Sequence, residues 1–242
     1  MRFYDSHLHL CECGRPDQIV SLMEFNGTAL LSAGIDRATS MKTLELSKLF
    51  PRTVVPFIGV HPSEAKGDDA SWVQDAVTVA AGIGEIGLDP RYSGSTRDQL
   101  RVFEEQLGYA EKARKPVQVH SRGAETECLD ALGRYELVSV LMHWFESERL
   151  LGTVRDRGYY VSLGPAITQS KGLRRIAAAF DGDRLLTETD APVSFKPFDG
   201  SQGPFLVPTV VFELSRVRRS TFEETRRQCE ENAERYLHLG KG

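Results

Sequence analysis

Cysteine is scarce in this sequence. The 242 residues include only four cysteines, which are irregularly spaced: Cys11, Cys13, Cys128 and Cys229. A disulfide framework is not expected, because a chain of this length can bury a large core without cross-links. Cys11 and Cys13 are interpreted as ordinary loop residues rather than metal ligands. Low cysteine use is typical of proteins in a reducing compartment, so a cytoplasmic protein is expected.

Long apolar runs and an excess of basic charge are also missing. No run approaches the roughly 20 residues that a membrane-spanning helix needs. No charged segment followed by an apolar stretch marks a signal peptide. The formal net charge of −4 argues against a broad electrostatic surface for nucleic acid, although local binding stays open. We expect no membrane association and no obligate protein partner.

What the sequence does contain is a recurring unit, a short apolar strand followed by a stretch with helical spacing. In Thr96–Arg114, for example, apolar residues recur every three or four positions. Eight strands are predicted: Phe3–Leu10, Ala29–Gly34, Thr53–Val60, Ala81–Leu88, Pro116–His120, Val138–His143, Tyr159–Leu163 and Arg184–Glu188. Further helices are predicted at Ser71–Ala80, Glu125–Arg134, Ser147–Arg157 and Gly172–Phe180.

This alternation predicts the α/β class and a parallel sheet, and eight strands are the number that closes into a (β/α)8 TIM barrel. We expect one domain over residues 1–242, with the barrel at about 1–207. One or two amphipathic helices at about 208–239 then cover its outside. A doubly wound open sheet is the competing fold, which the strand assignments alone do not exclude.

The placement of the histidines favours the barrel. Five of the six histidines fall at the carboxyl ends of predicted strands: His7, His9, His61, His120 and His143. Glu85 and Asp190 follow the same rule on the fourth and eighth strands. Barrel enzymes carry their catalytic groups at this rim. Random scatter would not send nearly every imidazole to one edge.

These residues have the chemistry of metal ligands. Residues i and i+2 of a strand point to one face, so His7 and His9 should enter the barrel mouth side by side. Neutral imidazoles suit zinc, manganese or iron, and Glu85 can bridge two ions. Each residue alone could be structural, but burying them together without a cation costs several kcal/mol. The predicted set for two metal sites is His7, His9, Glu85, His120, His143 and Asp190.

At these positions the sequence resembles the TatD family of metal-dependent hydrolases, within the amidohydrolase-like barrels. The matching stretches lie in the family order: Asp5–His9, Gly59–Pro62, Gly84–Asp89, Lys115–Arg122, His143–Phe145 and Glu188–Pro192. A weaker match continues to Asn232 and the helix around Ala233–Leu237. Gly-Glu-Ile-Gly-Leu-Asp and Glu-Thr-Asp-Ala-Pro are its most specific motifs.

The resemblance implies two divalent metal ions, one held by His7, His9, Glu85 and Asp190 and the other by Glu85, His120 and His143. The resemblance also implies a nuclease or phosphoesterase, since several members of that family act as DNases that trim DNA from the 3′ end. It also places three residues near the substrate: His61, Asp89 and Arg122. A guanidinium suits phosphate as a fixed fork, although Arg122 could instead pair with a nearby carboxylate. His61 could equally orient a ligand.

The sequence departs from the family pattern beside the second proposed metal. Small residues are usual after the histidine, whereas Trp144 and Glu146 stand there in this chain. A bulky ring and an extra carboxylate could narrow the site or repel an anionic substrate. Pro90 likewise replaces the usual aromatic residue after Asp89. Neither departure touches the proposed ligands, so they bear on the substrate rather than on metal binding.

The leading hypothesis is a phosphodiesterase or deoxyribonuclease in which two divalent ions share an activated hydroxide. The expected ions are zinc, with magnesium or manganese as the alternative. Asp190 is the expected proton acceptor, and Glu85 the bridging group. Three alternatives stay open. They are a carbon-centred amidase, deacylase or lactonase, a catalytically silent metal-binding module, and a DNA-binding protein that uses basic patches around 216–219 and 226–227. Interleaved glutamates indicate that those arginines lie on a solvated helix face.

Overall fold

Eight parallel strands form one sheet whose order follows the chain. The protein is described by a computed structural model that covers residues 2–65, 70–92, 96–194 and 197–238. Each strand pairs in parallel with the next. The strands are β1 (Phe3–Leu8), β2 (Thr28–Ala33), β3 (Val54–Ile58), β4 (Gly82–Gly87), β5 (Val117–His120), β6 (Val140–Met142), β7 (Tyr160–Leu163) and β8 (Leu185–Thr187). The predicted barrel is confirmed, and the open sheet is wrong.

Helices alternate with these strands and lie outside the barrel. They are α1 (Pro16–Phe25), α2 (Arg37–Leu49), α3 (Ser71–Ala76), α4 (Thr96–Ala113), α5 (Glu125–Leu132), α6 (Leu151–Asp156), α7 (Lys171–Ala179), α8 (Val207–Arg218) and α9 (Phe222–Tyr236). The helix predicted at Ser147–Arg157 is instead a short 3-10 turn followed by α6. The predicted tail is two helices, and its last position, 239, lies outside the described residues.

Hydrogen bonds between the segment after β8 and β1 close the barrel. The Asp190 backbone N–H donates to the His7 carbonyl at 2.9 Å, and the His9 N–H donates to the Ala191 carbonyl at 2.7 Å. The Thr187 hydroxyl donates to the Tyr4 carbonyl at 2.8 Å. The carboxyl ends of the first and last strands are thereby brought together, although they are far apart in sequence.

Several strands end earlier than the sequence predicts. β1 stops at Leu8 rather than Leu10, because the chain turns at His9 into a 3-10 helix over Leu10–Glu12. β6 likewise stops at Met142, so His143 follows the strand. His9 therefore does not share the strand with His7, although the i, i+2 spacing predicts that it does. His9 is the first residue after the strand, and its bond to the closing segment directs it inward.

The amino end of the barrel is filled by aromatic side chains, and α9 covers it. Tyr236 is fully buried, donates its hydroxyl to the Val117 carbonyl at 3.0 Å, and stacks on Phe57. Asn232 ties the same helix to β8, because its side-chain Nδ2 donates a hydrogen bond to the Leu185 carbonyl at 2.7 Å. This end serves stability, which leaves the carboxyl end for chemistry. Among the described residues, no helix is both long and apolar enough to span a bilayer.

Glycine is required where β4 and β5 approach at the carboxyl rim. Gly87 has φ of +147°, and a Cβ placed there would lie 1.9 Å from the His120 carbonyl oxygen. The residue therefore combines an unusual backbone conformation with direct backbone contact, which only glycine tolerates. It holds the two strands that carry Glu85 and His120 at close range.

Candidate metal centre

Glu85 lies at the centre of the rim, and its two carboxylate oxygens face two different pairs of imidazoles. Oε2 is 3.5 Å from His7 Nε2 and 3.2 Å from His9 Nε2. Oε1 is 2.6 Å from His120 Nδ1 and 2.7 Å from His143 Nε2. The carboxylate is almost fully buried. One acidic side chain thus separates the four histidines into two sets, as a bridging ligand would.

Asp190 joins the first set. Its Oδ1 is 3.5 Å from His7 Nε2 and 3.4 Å from His9 Nε2. The residue has φ of 53°, in the left-handed region that non-glycine residues seldom adopt. Its bond to the His7 carbonyl and the turn into Ala191 hold it there. All six residues predicted as ligands therefore meet at one point.

The outer nitrogens of His7 and His9 are committed to neutral acceptors. Gln118 donates through Nε2 to the Ser6 carbonyl at 2.8 Å, so its Oε1 is the atom that faces His7 Nδ1 at 2.8 Å. His9 Nδ1 faces the Ala33 carbonyl at 3.2 Å. Both acceptors require the proton on Nδ1, which leaves each Nε2 with a lone pair directed at the centre.

His120 is held by a carboxylate instead. Its Nε2 lies 2.8 Å from Asp89 Oδ2, which leaves Nδ1 for the centre. The same oxygen accepts two bonds from the Arg122 guanidinium, each at 2.7 Å. Asp89 is fully buried behind these two side chains. Of the residues predicted near the substrate, Asp89 therefore acts on the cavity through His120 and Arg122, and Arg122 forms the ion pair that the sequence left open.

His61 differs from the other imidazoles. The Ser63 backbone N–H donates to its Nδ1 at 3.2 Å, so the proton of neutral His61 sits on Nε2. That nitrogen lies 3.7 Å from Glu85 Oε1, farther than the nearest atoms of the four other histidines. Burial lowers the pKa of His61 to about 3, a shift that Glu85 only partly offsets. His61 is accordingly a neutral N–H donor directed into the site.

The charges of the centre are strongly coupled. Burial alone would raise the pKa of Glu85, but the imidazoles around it hold that pKa well below its usual range. Burial is likewise outweighed at Asp190, whose pKa is lowered by its hydrogen bond to His9 and by nearby imidazoles. Both carboxylates are therefore ionised at neutral pH and available to a cation.

The histidines carry the complementary shifts. Burial lowers the pKa of His9, but hydrogen bonds to Asp190 and Glu85 prevail and raise it to about 10. Burial is opposed in the same way at His120 and His143, whose pKa values are raised chiefly by Glu85. Without a metal cation, protons supply the positive charge that this buried acidic cluster demands.

Among the residues that the structure describes, three groups of ligand atoms lie close enough to share an ion. They are His7 with His9 and Glu85, His7 with His143 and Asp190, and His61 with Glu85 and His120, with each group's atoms within 4.8 Å of one another. His7 Nε2 is buried and, within the described residues, has no hydrogen-bond partner. An orphaned lone pair among carboxylates fits a divalent cation.

The centre forms the floor of a cavity of about 460 Å3. Arg122 and Tyr92 form one wall, with the guanidinium 5.3 Å from the Tyr92 ring centroid. Trp144 and Glu146 form part of another, where the indole N–H lies 3.3 Å from Glu146 Oε1. The further lining residues are His9, Glu12, Ile35, His61, Ser63, Glu85, His120, Ser121, His143, Asp190, Val193 and Ser194.

The cysteines near the site are not ligands in this arrangement. Cys11 contacts the Thr43 hydroxyl at 3.1 Å, and the Cys13 thiol faces the His9 carbonyl at 3.5 Å. Burial raises the pKa of Cys13 to about 12, and burial also raises the pKa of Cys11 above its ordinary value. Both therefore remain protonated thiols, which bind metal poorly. Their interpretation as ordinary structural residues agrees with these contacts.

Arg218 and Arg226 of the tail are held by carbonyls and carboxylates. Arg226 is buried between Glu223 and Glu230, at 2.6 and 3.0 Å. Arg218 donates to the Ala177 and Phe180 carbonyls on α7 and just beyond it. These contacts favour structural roles over a basic patch for nucleic acid.

Two site residues escaped the sequence analysis. Gln118 stands two positions before His120 on β5, and Glu188 stands two positions before Asp190. The period of two along a strand could have drawn attention to Gln118. Glu188 begins the Glu-Thr-Asp-Ala-Pro motif, but the sequence assigns it no role, because its contacts are with Ser162 on β7 and with Trp144 in the turn after β6.

Comparison with known proteins agrees with this geometry. The family model described as TatD related DNase matches residues 4–238. The chain belongs to the TatD related DNase family. It is 29% identical over 223 residues to the uncharacterized metal-dependent hydrolase YabD of Bacillus subtilis, covering 87% of each chain. It is 27% identical to the 3′-5′ ssDNA/RNA exonuclease TatD of Pectobacterium parmentieri, covering 94% of this chain and 95% of that protein.

A solved structure shares the fold. The TatD homologue YJJV of Escherichia coli superposes with a TM-score of 0.84 at 20% identity, and 99% of each chain is covered. At 20% identity, this similarity shows a shared fold and no more. As a TatD family member with this side-chain cluster, the chain is a metal-dependent hydrolase.

Proposed function

We propose that this TatD family hydrolase cleaves phosphodiester bonds of DNA or of a smaller phosphodiester, with two divalent cations at the rim. His7, His9, Glu85 and Asp190 would hold one cation. Glu85, His120 and His143 would hold the other. The observation that carries this proposal is the division of the Glu85 carboxylate, with each oxygen facing its own pair of imidazoles. The nuclease names of some relatives support the choice of phosphorus over carbon.

The charge of the cavity explains why cations are needed for such a substrate. Four carboxylates line it against one guanidinium, so an anionic ester would be repelled by the protein alone. Two divalent ions would reverse the sign of that lining. When bound, they would supply Lewis acidity and an activated water at neutral pH.

The side chains then have separate tasks. Asp190 is ionised and faces the centre, so it accepts the proton of the attacking water and returns it to the leaving oxygen. His61 offers its Nε2 proton to a phosphoryl oxygen. Arg122 lines the cavity while Asp89 holds one edge of its guanidinium, leaving the exposed edge to bind a non-bridging oxygen.

The cavity favours a small or terminal phosphodiester over the middle of a duplex. Its volume of about 460 Å3 is in the range of small-molecule sites, roughly 300–1,000 Å3. Trp144 and Glu146 occupy a wall where the family has small residues. An end of a single strand brings fewer phosphates past Glu146 than an internal site does.

We propose a single catalytic domain, in which residues up to about 207 form the barrel and the last two helices cover it. The contacts of α9 with the strands support that division. A reducing, cytoplasmic location is supported by four free cysteines.

Activity of the purified protein, loaded with zinc, manganese or magnesium, tests the proposal. It should hydrolyse bis(p-nitrophenyl) phosphate and shorten 5′-labelled single-stranded DNA, and the matching carboxylic ester and anilide should be poor substrates. Asp190→Asn should lower kcat by about 100-fold or more. Hydrolysis of ester or amide with no phosphodiester cleavage would contradict the assignment to phosphorus. Near-wild-type turnover of the variant with both ions bound would refute Asp190 as the base.

A further inference from the structure

Glu188 is a completely buried carboxylate that lies behind the metal centre. It follows β8, and its side chain extends toward β7 and the turn after β6. Oε2 accepts a hydrogen bond from the Ser162 hydroxyl at 2.6 Å, and Oε1 accepts one from the Trp144 backbone N–H at 2.9 Å. Both donors are neutral. A buried carboxylate with neutral donors alone is costly, so a group able to carry positive charge is expected beside it.

His143 is that group. Its Nδ1 lies 3.4 Å from Glu188 Oε2, while its Nε2 lies 2.7 Å from Glu85 Oε1. Nδ1 is buried and, in the described part of the chain, has no hydrogen-bond partner of standard geometry, so the Glu188 carboxylate is its charged neighbour. The separation is longer than a well-formed hydrogen bond. The two nitrogens are nevertheless divided between two carboxylates on opposite sides of the ring.

We propose that Glu188 is a positioning residue that keeps the proton of His143 on Nδ1 and so presents the Nε2 lone pair to a divalent cation. This inference rests on the proposed function. A carboxylate behind a ligating imidazole fixes its tautomer and ring orientation and makes it a better electron donor. Glu188 does not line the cavity, so it acts through His143 and not on the substrate.

The pattern of such partners divides the centre into two unequal halves. The imidazoles that face Glu85 Oε1 are backed by carboxylates, His120 by Asp89 and His143 by Glu188. The imidazoles that face Oε2 are backed by an amide oxygen and a backbone carbonyl. Loss of Glu188 should therefore weaken one cation position and spare the other.

The same carboxylate also fixes a wall of the cavity. Trp144 has φ of 42°, in the left-handed region, and its N–H is held by Glu188 Oε1. The conformation places Trp144 over the cavity immediately after His143. Glu188 thus couples the orientation of a ligand to the position of the indole.

Metal titration of Glu188→Gln tests the proposal. The amide is isosteric but presents N–H or a weaker acceptor to His143, so the tautomer is no longer fixed. Zinc titration of the metal-free proteins against a competing chelator should give two ions per wild-type chain. In the variant, one affinity should fall about 10- to 100-fold and the other should stay within threefold. Ser162→Ala is the matched control, because it removes a partner of the same oxygen but leaves the carboxylate, and it should retain both affinities.

Other outcomes decide against the proposal. Two wild-type affinities in Glu188→Gln would overturn the positioning role, and so would an equal loss of both ions in a variant whose circular dichroism matches wild type. If the variant does not fold, nitrogen-15 histidine spectra of the zinc-loaded wild-type protein settle the tautomer. A proton on His143 Nδ1 supports the proposal, and one on Nε2 refutes it. A wild-type chain that binds no divalent ion would overturn the proposed function itself, which separates the two failures.

Discussion

Gln118→Leu tests how the first pair of imidazoles is aligned. Gln118 is fully buried and makes two bonds of 2.8 Å, one facing His7 Nδ1 and one to the Ser6 carbonyl. Leucine fills a similar volume but leaves both partners buried and unsatisfied. At about 1–3 kcal/mol for each of the two stranded groups, the metal-free protein should lose about 2–6 kcal/mol of unfolding free energy.

A second loss should appear only when metal is present. Without the amide oxygen, His7 no longer has a fixed tautomer, and zinc affinity should fall about 10- to 100-fold. At saturating zinc this corresponds to a further loss of about 1.4–2.7 kcal/mol in unfolding free energy. Urea unfolding of wild type and variant, with and without excess zinc, measures both quantities.

Gln106→Leu is the control for this experiment. Gln106 is also fully buried, and its side chain bonds to the backbone: Oε1 accepts from the Val60 N–H at 2.7 Å, and Nε2 donates to the Val60 and Val102 carbonyls at 3.1 and 3.2 Å. It contacts none of the imidazoles in these bonds. Its replacement should destabilise the metal-free protein similarly and add no zinc-dependent loss. An equal zinc-dependent loss in both variants would refute the reasoning about His7.

Three further predictions concern protons, charge and stability. His9 has a pKa of about 10 in the metal-free fold against 6.5 ordinarily, so its protonation stabilises that fold fully below about pH 6.5, and this stabilisation is lost as pH rises through 10. Because zinc must displace this proton, apparent zinc affinity should rise from about pH 6 to pH 9. Calorimetry should show the released proton as a buffer-dependent heat of binding, and its absence would count against His9 as a ligand. Glu146→Gln removes an exposed negative charge from the rim and should lower KM for an anionic phosphodiester about two- to fivefold with kcat unchanged. This decrease in KM should be smaller at high salt. Glu24→Gln on α1 is the control, and an equal decrease in KM there would point to the net charge of the protein alone. Arg226→Met removes a buried guanidinium from between two glutamates and should lower the free energy of unfolding, measured in urea, by about 1–3 kcal/mol without changing kcat. A decrease below about 0.5 kcal/mol would show that these ion pairs contribute little to stability.

The fold was predictable because its signal is local and repeated. Each strand is a short buried run, and each helix such as α4 carries its own apolar stripe, so the alternation can be read one segment at a time. The exact ends of the strands were harder to predict from the sequence. β1 and β6 end early because hydrogen bonds from distant segments, such as the one between His9 and Ala191, redirect the chain.

The sequence by itself determined which side chains meet at the rim. His7, His9, Glu85, His120, His143 and Asp190 follow from strand ends, because parallel strands bring their carboxyl ends to one edge. The tertiary structure alone decided how each is held. Asp89 lies behind His120 rather than in the cavity, and Gln118 and Glu188 contact imidazoles on other strands. The period of two along β5 can place Gln118 on the same face as His120. Which imidazole each partner contacts depends on distances across the barrel, which no local pattern records.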